Sequence, residues 1–394
     1  MYNRIENAQL NDKRVFLRVD FEKIFYGNEE FQKKILSSIL PSVDFCLTRG
    51  AQVIIASHSG SPESADRYSY KTIISVLEQL IERKVHLISM RNGSLKNEIN
   101  EVPPGDIILL ENLLHNPGEA KNQESLAKQL AEISEIFINE AFASSIHEYA
   151  SLVKLPAHIP SYAGISFQNE YETLQTMLSG KEHPLVFILG GTGIEQKIKL
   201  LQKLFQTYNH ILDEIVVTGG IAYTFLKSRA HNIGLSTVEQ NFEVNAFQII
   251  EKAELNEKEI QLPVDHLAVE KITKDAKTKV FSELSQSWRG IDIGPKSIGK
   301  IEKIIKKAGF VLWYGPCGMV EIENFSKGTT AIAKAIAKSK ARSAVIGEDT
   351  SLSVIKSGYA DSFTFVGPNS SKTWIEIIKG KELPALAALK AVEE

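Results

Sequence analysis

Gly190, Gly191 and Gly193, with Lys197 just beyond them, form the stretch of this sequence best suited to chemistry. Glycine tolerates backbone angles that bring main-chain N–H groups close to a ligand, a helix start adds partial positive charge, and lysine adds a full one. The chemistry such a set suits is the holding of a phosphate. The same glycines would also serve a ligand-free crossover, since a short glycine cluster is a weak signal. What must position them lies on either side: the apolar run Leu185 to Leu189 has strand character, and from Ile194 the apolar residues return with helical spacing. The segment reads as strand, tight turn, helix.

That rhythm runs through the chain. Strand-like runs at Val15 to Val19, 53–56, 107–110 and 136–138 alternate with helical patterns at 32–49, 71–82 and 124–133. In the second half, strands at 185–189, 214–217, 309–313, 343–346 and 362–366 are separated by helices such as 194–206 and 329–338. This predicts an α/β protein with parallel sheets covered on both faces. Pro156, Pro160 and Gly164 mark a loop between the halves. Tyr171, Leu174 and Leu178 then predict a joining helix that stops at Gly180.

Open α/β sheets collect ligands beyond the carboxyl ends of their strands, so the residues closing each run matter most. The first half closes in Arg18-Val19-Asp20, Ser57-His58, Glu111-Asn112 and Asn139-Glu140. The second closes in Gly190-Gly191, Thr218-Gly219-Gly220, Gly315-Pro316 and Gly347-Glu348-Asp349-Thr350. Asp349 or Thr350 reads first as a helix cap, and Gly347 before it adds the character of a phosphate cradle.

Composition narrows the function. At 394 residues the chain calls for two domains. A net charge of −3 argues against a nucleic-acid partner, and pairs such as Lys33-Lys34 and Lys306-Lys307 read as solvated faces. Two distant cysteines, Cys46 and Cys317, fit a reducing, cytoplasmic setting. No signal peptide is evident, and no apolar run approaches the roughly 18 residues of a membrane span.

With these strand ends in view, the chain resembles the phosphoglycerate kinase family from Lys13 to about Leu389. The resemblance rests on Arg18-Val19-Asp20-Phe21, Ala56-Ser57-His58 with Gly60 and Pro62, Leu109-Leu110-Glu111-Asn112-Leu113, Ala222-Tyr223-Thr224-Phe225-Leu226-Lys227, Asp292-Ile293-Gly294-Pro295, Gly315-Pro316, Asp349-Thr350 and Gly380-Lys381-Glu382-Leu383-Pro384. It implies two doubly wound parallel-sheet domains facing a cleft. The first, 1–166, would take the substrate acid, with the tail 380–394 returning to it; 167–183 would be the interdomain helix, and 184–379 the nucleotide-binding domain. It also implies a monomer that uses Mg2+ with ATP or ADP. Gly190, Gly191, Lys197, Gly219, Gly315, Glu321, Gly347, Asp349 and Thr350 would meet the nucleotide, with Asp349 on the metal. Lys197 is the catalytic candidate if the chain is active, and Arg18, Asp20 and His58 remain of the substrate site.

Departures from the family pattern are concentrated on the substrate side. Glu22 stands for an asparagine, while Ile35 (or Lys34, allowing a one-residue shift), Ser61 and Leu114 stand for arginines. Ala143-Ser144-Ser145-Ile146-His147-Glu148-Tyr149 replaces a block bearing an arginine and two histidines. On the nucleotide side, Gly193 stands for a lysine and Tyr314 for an asparagine. Four lost arginines at roughly 1.5–3 kcal/mol each amount to about 6–12 kcal/mol, comparable with the roughly 8 kcal/mol of micromolar binding. The expectation from sequence is therefore a non-catalytic family member that keeps weak magnesium-nucleotide binding. The alternative is an active phosphoglycerate kinase in glycolysis with compensating cations such as Lys23, Lys33, Lys34 or Arg67, or a kinase of another small acid.

Overall fold

Val15, Phe16 and Leu17 are all fully buried, as are Ile107 to Leu110. Strands covered on both faces have no polar side to alternate with, so consecutive apolar residues mark them here. In a computed structural model that describes residues 2–25, 28–62, 68–90 and 95–389, the chain divides into two compact units, Met1–Glu172 with Gly380–Glu394, and Thr173–Lys379. The division falls within the helix Ile165–Leu178.

The first unit is built on a parallel six-stranded sheet in the order Val85–Ile88, Ile107–Leu110, Gln52–Ala56, Arg14–Arg18, Ile136–Asn139, Ser161–Ala163. The chain winds outward in one direction from Arg14–Arg18 and later returns to its other side. Arg18 therefore ends a central strand at the point where the winding reverses, between Ala56 and Asn139. The helix Pro384–Ala388 closes this unit, with Ala385 packed into a cluster with Leu114, Ala141, Tyr149 and Leu152.

The second unit repeats the plan with Phe365–Gly367, Arg342–Ile346, Phe310–Tyr314, Leu185–Leu189, Glu214–Val217 and Ile260–Gln261, all parallel. Its reversal point is Leu185–Leu189, so the glycine turn that follows sits where such sheets take ligands. Beside it lies a small antiparallel sheet of Lys279–Phe281, His266–Val269 and Arg289–Ile293.

Several elements differ from the sequence reading. The helical pattern at 32–49 is two helices, Glu29–Ser37 and Leu40–Leu47, because Pro41 supplies no N–H to carry the hydrogen-bond ladder back to Ser37. Val85–Ile88, Ser161–Ala163 and the antiparallel sheet were not legible; these strands are short, and Lys279–Phe281 is largely exposed. The last strand of the second sheet lies at Phe365–Gly367 rather than 362–366, since Ala360–Ser362 turns as a 3-10 helix.

The joining helix runs Ile165–Leu178 rather than 167–183, and its early start has a buried carboxylate as its cause. Glu140 accepts from Phe167 N at 2.7 Å and Ser166 N at 3.2 Å, capping the helix start. Gly164 makes room for it, since a Cβ there would lie 2.4 Å from Glu140 Cδ. Burial raises the Glu140 carboxyl to about 7 against its Ser42, Phe167, Ser166 and Ile165 hydrogen bonds. A carboxyl raised on folding contributes stability below its unfolded value, near 4.5, that is lost as pH rises through 7. Glu140→Gln should remove that slope. In urea titrations the variant should gain on the parent by about 2–3 kcal/mol between pH 4.5 and pH 8; a pH-independent difference would count against the buried charge.

Candidate functional site

The turn after Leu189 is held by contacts too close for any side chain. A Cβ on Gly190 would lie 2.2 Å from Pro316 O, and one on Gly315 would lie 2.1 Å from Gly190 O. Gly190 N donates to Tyr314 O at 2.9 Å, Gly191 N to Pro316 O at 2.6 Å and Gly219 N to Cys317 O at 3.1 Å. The glycines thus weld three strand-end loops together. Their N–H groups are spent on carbonyls, which corrects the expectation that Gly190 and Gly191 offer them to a phosphate. The next helix, Ile194–Thr207, starts at Gly193 with φ 73° and receives an acid, Ile194 N donating to Glu239 Oε1 at 3.0 Å.

These loops frame a cavity of about 230 Å3, lined by Gly191, Gly219, Tyr223, Asp292, Glu321 and Asp349 among others. Of the residues singled out from sequence, Gly191, Gly219, Glu321 and Asp349 line it, whereas Gly190, Lys197, Gly315, Gly347 and Thr350 do not. Thr350 is buried, and its Oγ1 accepts from Gly315 N at 2.9 Å, so it secures the loop. Gly347, at φ 93°, starts the helix Glu348–Lys356 and lies against the Tyr314 ring. Lys197 is almost wholly buried: burial lowers its ammonium to about 8, against the opposing charges of Glu239 and Asp349.

Sequence reasoning did not assign Tyr223, Asp292 or Glu239 to this site. Asp292 is buried, accepts from Gly328 N at 2.6 Å and Ile293 N at 2.9 Å, and is raised to about 7 by burial. Tyr223 and Asp292 stand within the quoted family blocks, which was the available signal. Glu239 had none, because its role depends on reaching a helix 45 residues earlier.

In the first unit Arg18 and His58, from two strand ends, join Glu119 and Ser151 in one hydrogen-bonded cluster. The Arg18 and Glu119 side chains have no exposed surface, and Nη2 lies 3.7 Å from Glu119 Oε1. Arg18 also donates from Nε to Ser151 Oγ at 2.8 Å, from Nη1 to Val19 O at 2.5 Å and from Nη2 to His58 Nδ1 at 2.6 Å. Ser151 completes the set by donating from Oγ to Glu119 Oε1 at 2.5 Å and from N to Oε2 at 3.0 Å. Arg18 therefore faces inward and presents no guanidinium to a ligand. Asp20 accepts from Glu22 N at 3.1 Å and from Ser144 Oγ at 2.9 Å.

One ligand atom each from Glu22, His58 and His147 fall within 4.8 Å of one another, a spacing that suits a metal ion. The chemistry of His58 argues otherwise. A guanidinium only donates, so His58 Nδ1 must accept and its ring proton is on Nε2. Burial, with Arg18 and His147 beside it, holds this imidazole neutral, well below its ordinary value. Neither nitrogen then has a spare lone pair, and the group instead offers an N–H to an anionic oxygen. Tyr149 stacks on His147 at 4.7 Å and meets His58 edge-on at 5.0 Å, while Leu114 is a core residue beneath the C-terminal helix. Lys33 pairs with Glu29 at 2.8 Å on its own helix, and Arg67 lies outside the described residues.

Two parallel six-stranded sheets, each carrying its polar residues at the strand ends of its reversal point, define a two-domain α/β protein. The chain belongs to the phosphoglycerate kinase family: a sequence profile described as "Phosphoglycerate kinase" matches residues 5–381. It is 37% identical over 395 residues to a phosphoglycerate kinase of Leptospira biflexa, covering 99% of this chain and 98% of that one. Among solved structures, it is similar to the phosphoglycerate kinase of Coxiella burnetii (TM-score 0.82, 32% identity, 99% of both chains). It also resembles that of Pyrococcus horikoshii OT3 (TM-score 0.85, 26% identity, 98% of both chains). No helix among the described residues is long and apolar enough to cross a membrane.

These relationships overturn the expectation of a non-catalytic chain, since relatives matched end to end carry the kinase name. The error lay in adding arginine contributions as if they were independent. Groups that contact one ligand in one pocket are not additive, so their sum is no measure of what four substitutions remove together.

Proposed function

We propose that this chain is a phosphoglycerate kinase, transferring a phosphoryl group between magnesium-ATP and the carboxylate of 3-phosphoglycerate in glycolysis. The observation that carries the reading is the glycine-lined cavity of the second unit, at the sheet's reversal point with Glu321 and Asp349 on its wall. Gly191 and Gly219 would lie against the nucleoside, Glu321 would meet the ribose, and Lys197 would take a phosphate. Asp349 supplies a carboxylate oxygen, the donor type that magnesium prefers, and would hold the ion that arrives with the nucleotide. Such a transfer asks the protein to position reactants and offset charge.

A second reading, a kinase of a less anionic small acid, is favoured by the inward-facing Arg18. With Arg18 turned inward and Glu22 beside His58, a singly charged carboxylate would meet less repulsion there than a phosphorylated one. A coupled assay of ADP release from magnesium-ATP tests both. The first reading expects turnover with 3-phosphoglycerate; turnover only with unphosphorylated hydroxy acids would replace it with the second. Silence with both classes would sink both readings.

A further inference from the structure

Lys197 is the phosphate-binding lysine of the reading above, on which this inference rests, yet it is 5% exposed and does not line the cavity. Beside the charges of Glu239 and Asp349, two neutral groups hold its ammonium. Nζ donates a hydrogen bond to Thr192 O, and the centroid of the Tyr314 ring lies 4.9 Å away. Tyr314 ends a central strand, paired with Leu189 on one side and Ile346 on the other. Its ring edge comes within 3.0 Å of where a Cβ on Gly347 would sit, so a larger residue at 347 would crowd it.

The carbonyl takes one of the three ammonium N–H groups and the ring faces the ammonium, so turning it toward a phosphate in the cavity forfeits the aromatic contact. We propose that Tyr314 is a positioning residue that latches Lys197 away from the cavity and so sets nucleotide affinity. The carbonyl belongs to the glycine turn and is there whichever residue occupies 314; the ring is the variable half of the latch. It stands where the family pattern has asparagine, a side chain without an aromatic face.

Two measurements on the full chain test this. In the ligand-free protein, acetylation of Lys197 by acetic anhydride, read by mass spectrometry, should run several-fold faster in Tyr314→Leu than in the parent. Tyr314→Phe, which keeps the ring, should retain the parental protection. Tyr314→Asn gives the same comparison should leucine disturb the sheet. Equal protection of Lys197 without the ring overturns the latch. By calorimetry, Tyr314→Leu should bind ADP about 2- to 30-fold more tightly, the range of a cation–π contact, and adding Lys197→Met should cancel the gain. Unchanged or weaker ADP binding by Tyr314→Leu also overturns it. Faster labelling with no ADP binding by any variant sinks the nucleotide reading while the latch on Lys197 stands.

Discussion

Arg18→Ala should lower the unfolding free energy by about 3–5 kcal/mol, the cost of leaving one partner of a buried ion pair alone. The partner left behind is Glu119, whose side chain has no exposed surface and whose carboxyl is already raised by burial despite the lowering influence of Arg18 and Ser151. Removing the guanidinium also leaves His58 Nδ1 without its donor, while Val19 O keeps the Ser57 Oγ hydrogen bond at 2.7 Å. The loss should depend on pH with a defined sign. Without Arg18 the Glu119 carboxyl rises further, and a raised carboxyl is least harmful when protonated, so the defect should be larger at pH 8 than at pH 5.5. Urea denaturation at both values checks this. The double variant Arg18→Met with Glu119→Gln should recover much of the loss, since it removes both charges together. Additive losses in the double variant would show that the pair is not coupled.

Lys197→Met should produce two opposite effects. ADP affinity should fall about 10- to 100-fold, corresponding to one charge-assisted hydrogen bond of roughly 1.5–3 kcal/mol. Stability at neutral pH should rise by up to about 3 kcal/mol, because burial lowers this ammonium from 10.5 to about 8 and methionine carries no charge to bury. For a base lowered on folding, the unfolded chain binds more protons between pH 8 and pH 10.5, so the parent gains stability across that window and the variant does not. Calorimetry with ADP and urea titrations at pH 7 and pH 9.5 measure the two effects separately. A variant that is less stable and binds ADP as well as the parent would show that Lys197 is a packing residue.

Much of the architecture was legible because burial leaves a plain mark. Leu185–Leu189 and Ile107–Leu110 are unbroken apolar runs, and only strands covered on both faces need them. The glycines at 190, 191 and 315 were equally visible, but their purpose was not. Whether a glycine admits a ligand or another loop depends on what approaches it, and here it is the backbone of Pro316 and Gly190. Short strands such as Lys279–Phe281 left no pattern, because three mostly exposed residues bury too little to constrain their sequence.

Residue order by itself determined the family, the two parallel sheets and the strand ends where chemistry can gather, since these follow from local spacing and from blocks kept in one sequence. Only the tertiary structure decided which way the charged side chains face. Arg18 turns inward to Glu119, 101 positions away, and Lys197 folds onto Tyr314, 117 positions away, and both contacts exist only because the fold sets a strand end against a distant helix. A charge's worth depends on its distance to partners and on the water around it, and neither quantity is local in the chain.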